Sequence, residues 1–129
     1  MSILIDTNVL VAAVTDDTDR SAAAIDVLNE SVDPYVSVLN LMELRSVLSK
    51  KKQFERDRIE AIEHRITART TVTFPDASDM MEANRLQSET LLYPMDALVL
   101  TAAEAVDATL VSFDGELLEH GAVPPAEVE

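Results

Sequence analysis

With 129 residues, the chain is long enough for one domain built around a single hydrophobic core and too short for two such domains. It contains no cysteine, which excludes disulfides and thiolate metal sites, and we expect neither a secretion signal nor a membrane span, hence a soluble, cytoplasmic protein. Twenty-four Asp and Glu residues against ten Lys and Arg residues give a net charge of -14, which excludes a general attraction to nucleic acid.

The first half of the chain predicts alternating strands and helices. A short apolar run at 3–5 predicts a buried strand that turns into a helix over 9–14. Turn and cap residues then precede a helix over about 20–31. Residues 35–38 predict a second strand, and 40–49 predict a helix with one apolar stripe. The residues expected to face inward from the helix over 20–31 are Ala24, Ile25, Leu28 and Val32.

The second half continues the alternation. A charged helix is predicted over about 54–69, followed by a strand at 71–73 and a long helix from Asp76 to Leu92. Pro94 fits the first turn of another helix, whose apolar body extends to residue 106. The remaining predicted elements are a strand at 109–113, a short helix at 116–120 and an edge strand at 122–123. This order predicts the α/β class, with a mainly parallel sheet covered by helices on both faces.

Four acidic side chains are predicted to meet at one edge of this sheet. Asp6 ends the first strand and Asp114 ends the fourth, while Glu43 and Asp96 lie in the first turns of helices that flank them. Ligands of open parallel sheets collect at the carboxyl ends of the strands. Acids grouped so closely repel one another unless a cation lies between them, so the cluster predicts a metal site.

Oxygen ligands without thiolate or a histidine pair favour Mg²⁺ or Mn²⁺. The chemistry that fits such a site is hydrolysis of a phosphodiester by metal-activated water, with the four acids as both metal ligands and catalytic residues. Three polar residues beside the acids, Thr7, Asn8 and Ser112, are predicted to form a second layer that hydrogen-bonds metal-bound water or the phosphate. Taken singly, Asp6 and Asp114 could instead be turn formers or helix caps. Asp96 could be a first-turn acid favoured by the helix dipole, and Glu43 a solvated helix residue.

Positive charge is concentrated in one segment. Residues 45–69 hold eight of the ten cationic side chains, so this segment is basic although the whole chain is acidic. A solvated helix with internal ion pairs would explain the cluster, and so would a surface that binds a polyanion. The acid excess elsewhere is typical of halophilic proteins, where screening within about 3 Å at 1 M salt would let a polyanion approach.

The acidic positions carry a resemblance to the PIN-domain family. Residues 3–10 resemble its opening motif and 40–45 its second acidic motif, while 96–98 and 110–114 resemble the third and fourth. The match covers nearly the whole chain and is closest to the compact VapC-type toxins of toxin-antitoxin pairs. Two residues depart from the pattern: Asp107 stands where glycine is usual, and Ser112 where threonine is commoner. Asp tolerates left-handed backbone geometry and Ser keeps the hydroxyl, so neither departure removes the site.

The resemblance implies a PIN-like three-layer α/β/α sandwich with a sheet of roughly five strands. It also implies Mg²⁺- or Mn²⁺-dependent cleavage of RNA, a homodimer, and inhibition by an antitoxin protein lying over the active-site groove. The helices around 40–69 would form a protruding arm that grips RNA or a protein partner. The basic residues expected to make these contacts are Arg45, Lys50, Lys51, Lys52 and Arg56.

Other kinds of chemistry are disfavoured. Ser112 and Asp114 with a histidine could suggest a hydrolytic triad, but there is no Gly-x-Ser-x-Gly turn, and two glycines are too few for a glycine-rich phosphate loop. His64 and His120 are expected on the surface, away from the acids. An aspartyl phosphatase would need an acid where Asn8 stands. Two alternatives stay open: a non-catalytic PIN-like binding module, and a housekeeping RNA-processing nuclease of the same fold.

Overall fold

The structure is a computed structural model that describes residues 1–16 and 19–128. Its centre is a four-stranded parallel sheet with the order β3-β2-β1-β4. The strands are β1 (Ile3–Ile5), β2 (Tyr35–Ser37), β3 (Thr71–Thr73) and β4 (Thr109–Val111). The predicted α/β class with a parallel sheet is confirmed.

The expected edge strand at 122–123 is reduced to one bridge, between Val111 and Val123, so the sheet has four strands rather than about five. Pro124 and Pro125 follow immediately and lack the backbone N–H that a longer ladder would need, which explains why pairing stops there. Pro125 instead begins a 3₁₀ turn, Pro125–Glu127.

Seven α-helices connect and cover the strands within the described ranges. They are α1 (Thr7–Val14), α2 (Ser21–Glu30), α3 (Val38–Ser46), α4 (Arg56–Arg69), α5 (Ala77–Thr90), α6 (Pro94–Ala105) and α7 (Gly115–Leu118). A π-helical turn, Val47–Lys51, continues α3. Asp17 and Thr18, expected among the turn and cap residues before α2, lie outside the described residues. No described helix has both the length and the apolar content that crossing a membrane requires.

Two hydrophobic cores lie on opposite faces of the sheet, because side chains alternate along each strand. Ile3 and Ile5 face the core formed with α1 to α4, and Leu4 faces the core formed with α5, α6 and α7. The sheet is therefore the middle of three layers, as predicted. Val32 lies beyond the end of α2 and is 80% exposed, so its predicted inward position is wrong; Val27 is buried in its place.

Local sequence sets where the helices begin. Helix α1 follows β1 with only Asp6 between them, and the Asp6 carboxylate caps the helix by accepting a hydrogen bond from the Thr7 N–H. Ser37 and Asn40 form a capping box that starts α3 directly after β2. Asp107, which stands before β4 where glycine is usual, adopts a left-handed backbone with φ of 55°. These short junctions bring the helix starts to the carboxyl ends of the strands.

Candidate active site

Asp6 lies at the junction of β1 and α1 and is 8% exposed. One carboxylate oxygen, Oδ1, accepts hydrogen bonds from the Thr7 N–H at 2.9 Å and from Asn40 Nδ2 at 3.2 Å. The other, Oδ2, accepts from Ser112 Oγ at 2.8 Å. Burial raises the pKa of Asp6 above its ordinary value, although the hydrogen bonds from Ser112 and Thr7 oppose that rise. The carboxylate is thus held in one orientation by donors from three separate elements.

Ser112 connects the acids that follow the neighbouring strands β1 and β4. It is fully buried, and its hydroxyl donates to Asp6 while accepting from the Asp114 N–H at 3.0 Å and from Asn8 Nδ2 at 3.2 Å. Asn8 in turn accepts from the Phe113 N–H at 3.1 Å. Both polar residues therefore position the acids through protein hydrogen bonds, and their contact with metal-bound water or phosphate stays a prediction.

Glu43 reaches the same place from α3. Its Oε1 atom accepts a hydrogen bond from Thr7 Oγ1 at 2.8 Å, which ties the first turn of α1 to α3. Thr7 is therefore also a positioning residue, as its predicted role beside the acids requires. Asn40 lies one turn before Glu43 and donates to Thr7 Oγ1 at 3.0 Å as well as to Asp6.

Asp96 lies in the first turn of α6, where Pro94 opens the helix. Its carboxyl group is half-buried and receives no hydrogen bond from the described residues. Partial burial, followed by repulsion from Asp114, Asp6 and Glu43, raises the pKa of Asp96 to about 6. The repulsion shows that the four acids lie close enough to influence one another.

Asp114 ends the run that follows β4 and caps α7. Its Oδ1 atom accepts from the Glu116 N–H at 2.8 Å and from the Leu117 N–H at 3.4 Å. The alternative interpretation of this residue as a helix cap is therefore correct for one oxygen. It does not exclude a second role, because a carboxylate has further acceptor positions.

All four predicted acids line one cleft of about 430 Å³, together with Thr7 and Asn8. Within the two described ranges, however, no three Asp, Glu or His side chains are arranged so that they could hold a metal ion directly. Mg²⁺ usually keeps several waters and contacts protein through one or two carboxylates. A set of mutually repelling carboxylates, without nitrogen or sulfur donors, fits such a partly hydrated hard cation.

The predicted basic arm divides into two groups. Arg45 pairs with Glu63 at 2.6 Å and Arg56 with Glu60 at 3.1 Å on the exposed surface, as the solvated-helix reading expects. Lys52 lines the acidic cleft. Two further lysines that belong to the arm, Lys50 and Lys51, are exposed and do not line it.

Sequence reasoning missed the positioning role of Asn40 and the presence of Arg20 in the cleft. Asn40 could have been noticed, since it stands three residues after Ser37 in a capping-box spacing, but Glu or Gln is usual there. Arg20 follows a turn, and no pattern in the neighbouring sequence predicts that its side chain enters the cleft. His64 and His120 are both exposed and outside the cleft, as predicted.

Comparison with known proteins agrees with this architecture. The sequence model of the PIN domain matches residues 3–122. Among solved structures, the fold is similar to that of Mycobacterium tuberculosis VapC20, a sarcin-ricin loop cleaving toxin, with a TM-score of 0.79 and 19% identity over 94% of this chain and 96% of that one. No match was found among curated protein sequences.

Two further structures come from complexes. VapBC2 from Rickettsia felis, bound to a DNA fragment from its promoter, gives a TM-score of 0.74 and 20% identity over 96% of this chain and 97% of that one. A toxin-antitoxin complex from Klebsiella pneumoniae gives a TM-score of 0.73 and 20% identity over 98% of this chain and 99% of that one. At this identity the structures establish the fold alone, whereas the sequence model spans most of the chain. The chain therefore belongs to the PIN domain family.

Proposed function

We propose that this protein is a metal-dependent endoribonuclease that acts as the toxin of a toxin-antitoxin pair. The observation that carries the proposal is the meeting of Asp6, Glu43, Asp96 and Asp114 at one cleft, from four different elements. Capping and turn formation explain some of these acids separately, but they do not explain why all four face the same space. A cleft that concentrates negative charge is costly unless it binds a cation.

These carboxylates would hold Mg²⁺ or Mn²⁺, with Asp6 fixed in place and Asp96 the acid least restrained by hydrogen bonds. A divalent cation at such a site supplies Lewis-acid chemistry, lowering the pKa of a water and offsetting charge on the phosphate. Ser112 and Asn40 keep the Asp6 oxygens oriented, and Thr7 does the same for Glu43. Such supporting contacts affect metal affinity by about 10–100-fold in other metal sites.

The test is cleavage of a fluorescein-labelled single-stranded RNA with Mg²⁺, with Mn²⁺ and with EDTA, alongside DNA of the same sequence. We expect cleavage of RNA only when a divalent ion is present, and none by Asp6→Asn or Asp96→Asn. The matched control is Asp26→Asn, which removes one charge from an exposed position on α2, away from the cleft. Binding without cleavage by the wild type would favour the non-catalytic binding module instead.

The assay should also be run across a wide range of salt. With a net charge of -14, the protein repels RNA at long range, and about 1 M salt shortens that repulsion to about 3 Å. For a halophilic protein in the cytoplasm, we expect cleavage to persist at high salt. Loss of cleavage by 0.5 M salt would argue against that environment.

The partners we propose are an antitoxin protein and a second copy of this chain. Similar folds occur in toxin-antitoxin complexes from Rickettsia felis and Klebsiella pneumoniae, which supports the first partner. Expression of the wild type should arrest the growth of the host cells, whereas expression of Asp96→Asn should not. Co-expression of a short neighbouring reading frame should restore growth and yield a complex on gel filtration. If no neighbouring reading frame restores growth, a housekeeping RNA-processing nuclease is the favoured reading. Light scattering would establish whether the free protein is a dimer.

A further inference from the structure

The acidic cleft also contains two cations, Arg20 and Lys52. Its floor is one face of α1, because Thr7, Val11 and Thr15 follow one another at helical spacing. The two cations reach this floor from opposite sides of β1, since β2, which leads into α3, and β4 flank β1 in the sheet. Each side of the cleft therefore carries at least one acid and one cation.

On the α3 side, the π-helical turn decides which lysine enters the cleft. Glu43 and Val47 line it four residues apart, as an α-helix allows. Continued α-helix would bring residue 50 or 51 to the same face. The π-turn instead closes with the Lys52 N–H donating to the Val47 carbonyl at 3.1 Å, and this added residue brings Lys52 into the cleft.

On the β4 side, Arg20 is held beside the acids by an aromatic ring. Its guanidinium carbon lies 4.7 Å from the centroid of the Phe113 ring, a cation–π distance. Phe113 directly precedes Asp114 and donates its backbone N–H to Asn8. The position of this cation is thereby coupled to the strand end that carries one of the acids.

We propose that Arg20 and Lys52 bind the RNA phosphates on either side of the phosphate that is cleaved. Lys52 lies nine residues after Glu43, about 13 Å further along the chain at helical rise, so its backbone is offset from that of the acid and its side chain can reach a phosphate next to the one at the acids. A polyanion that enters a strongly acidic protein needs local cations, and these two line the cleft itself. This inference rests on the proposed ribonuclease function.

The test compares Arg20→Gln and Lys52→Gln with the control Arg65→Gln, which removes the same charge from an exposed position on α4, outside the cleft. Binding of a labelled six-nucleotide RNA is measured by fluorescence anisotropy in EDTA, where no cleavage is expected, across a salt series. Mn²⁺ binding is measured separately by calorimetry without RNA. We expect each cleft variant to weaken binding about tenfold and to flatten the salt slope by about one. Arg65→Gln should stay within about twofold of the wild type, because its charge lies outside the cleft.

A second measurement identifies the phosphates concerned. Each phosphate of the six-nucleotide RNA is replaced in turn by a neutral methylphosphonate, and binding is measured for wild type and variants. If Lys52 contacts one phosphate, the affinity losses caused by Lys52→Gln and by a methylphosphonate at that linkage will not add. Arg20→Gln will show the same non-additivity at a different linkage. Additive effects at every linkage overturn the proposal.

Three outcomes separate the possible failures. If Arg65→Gln and Lys52→Gln weaken binding equally while the wild type cleaves RNA, only general charge matters and the inference is wrong, although the proposed function survives. If the cleft variants tighten Mn²⁺ binding and leave RNA binding unchanged, the cations merely offset the acids, and the inference is again wrong. If the wild type neither binds nor cleaves RNA, both the inference and the proposed function fail.

Discussion

Asp96→Asn should make the metal-free protein more stable at neutral pH. In the folded chain, burial and the repulsion of four other acids raise the pKa of Asp96 to about 6, whereas an unfolded chain holds it near 3.8. The folded state therefore binds this proton more tightly than the unfolded state. The contribution of Asp96 to the free energy of unfolding is greatest below about pH 4 and is lost as the pH rises from 4 to 6, because Asp96 then ionises against its neighbours.

The size of the effect follows from the shift. A change of about two pKa units corresponds to about 3 kcal/mol as an upper bound, at about 1.4 kcal/mol per unit. Asp96 is only half-buried, so solvent screening reduces the expected gain to about 1–2 kcal/mol. Asparagine has nearly the same shape and no charge, so the variant should recover this free energy of unfolding at pH 7. The gain should vanish near pH 4, where Asp96 is already protonated.

The assay is urea unfolding of the wild type and Asp96→Asn in EDTA, at pH 4.5 and at pH 7. Asp26→Asn is the control, since it also removes one negative charge, but from an exposed position on another helix. Adding Mn²⁺ should reverse the order, because an ion that binds only the folded wild type stabilises it by mass action. If Asp96→Asn is no more stable than Asp26→Asn at pH 7 without metal, the four acids do not repel one another as described.

Three substitutions outside the acids test the surrounding framework. Leu91 is 89% exposed with a left-handed backbone, so Leu91→Gly should raise the free energy of unfolding by about 0.5–1 kcal/mol; an unchanged urea midpoint would contradict this. Thr101 has a buried hydroxyl that finds no hydrogen-bond partner among the described residues, so Thr101→Val should raise the melting temperature, corresponding to about 1 kcal/mol. Asn40→Ala removes donors from Asp6 and Thr7 and should cost about 2–3 kcal/mol, with Mn²⁺ affinity about 10–100-fold lower in calorimetry. Unchanged Mn²⁺ affinity would limit Asn40 to a structural role.

The acids were predictable because each is placed by local signals. Asp6 ends an apolar run, and Asp96 follows a proline that opens a helix, so the strand ends and helix starts could be located from sequence. Their convergence then followed from the parallel sheet. The edge strand was overestimated because a two-residue apolar pair carries little information against the prolines that follow it.

What could not be predicted depends on contacts between distant segments. The buried hydrogen bonds of Asn40 arise only when α3 packs against β1 and α1. The entry of Lys52 into the cleft depends on a π-turn, and three consecutive lysines give no sequence sign of which one turns inward. Arg20 reaches the cleft by stacking on Phe113, far away in sequence. Packing geometry, rather than local preference, decides all three.

The hydrogen bond between Ser112 and Asp6 joins residues 106 positions apart in the chain. During synthesis the acidic cleft therefore cannot close until β4 has left the ribosome and paired with β1, and prematurely ended chains would lack one wall of it. For a protein that would cut RNA inside the cell that makes it, this topology postpones activity until translation of the domain is nearly complete. Under the proposed function, an antitoxin made at the same time would bind this protein as it folds, before any RNA is cut.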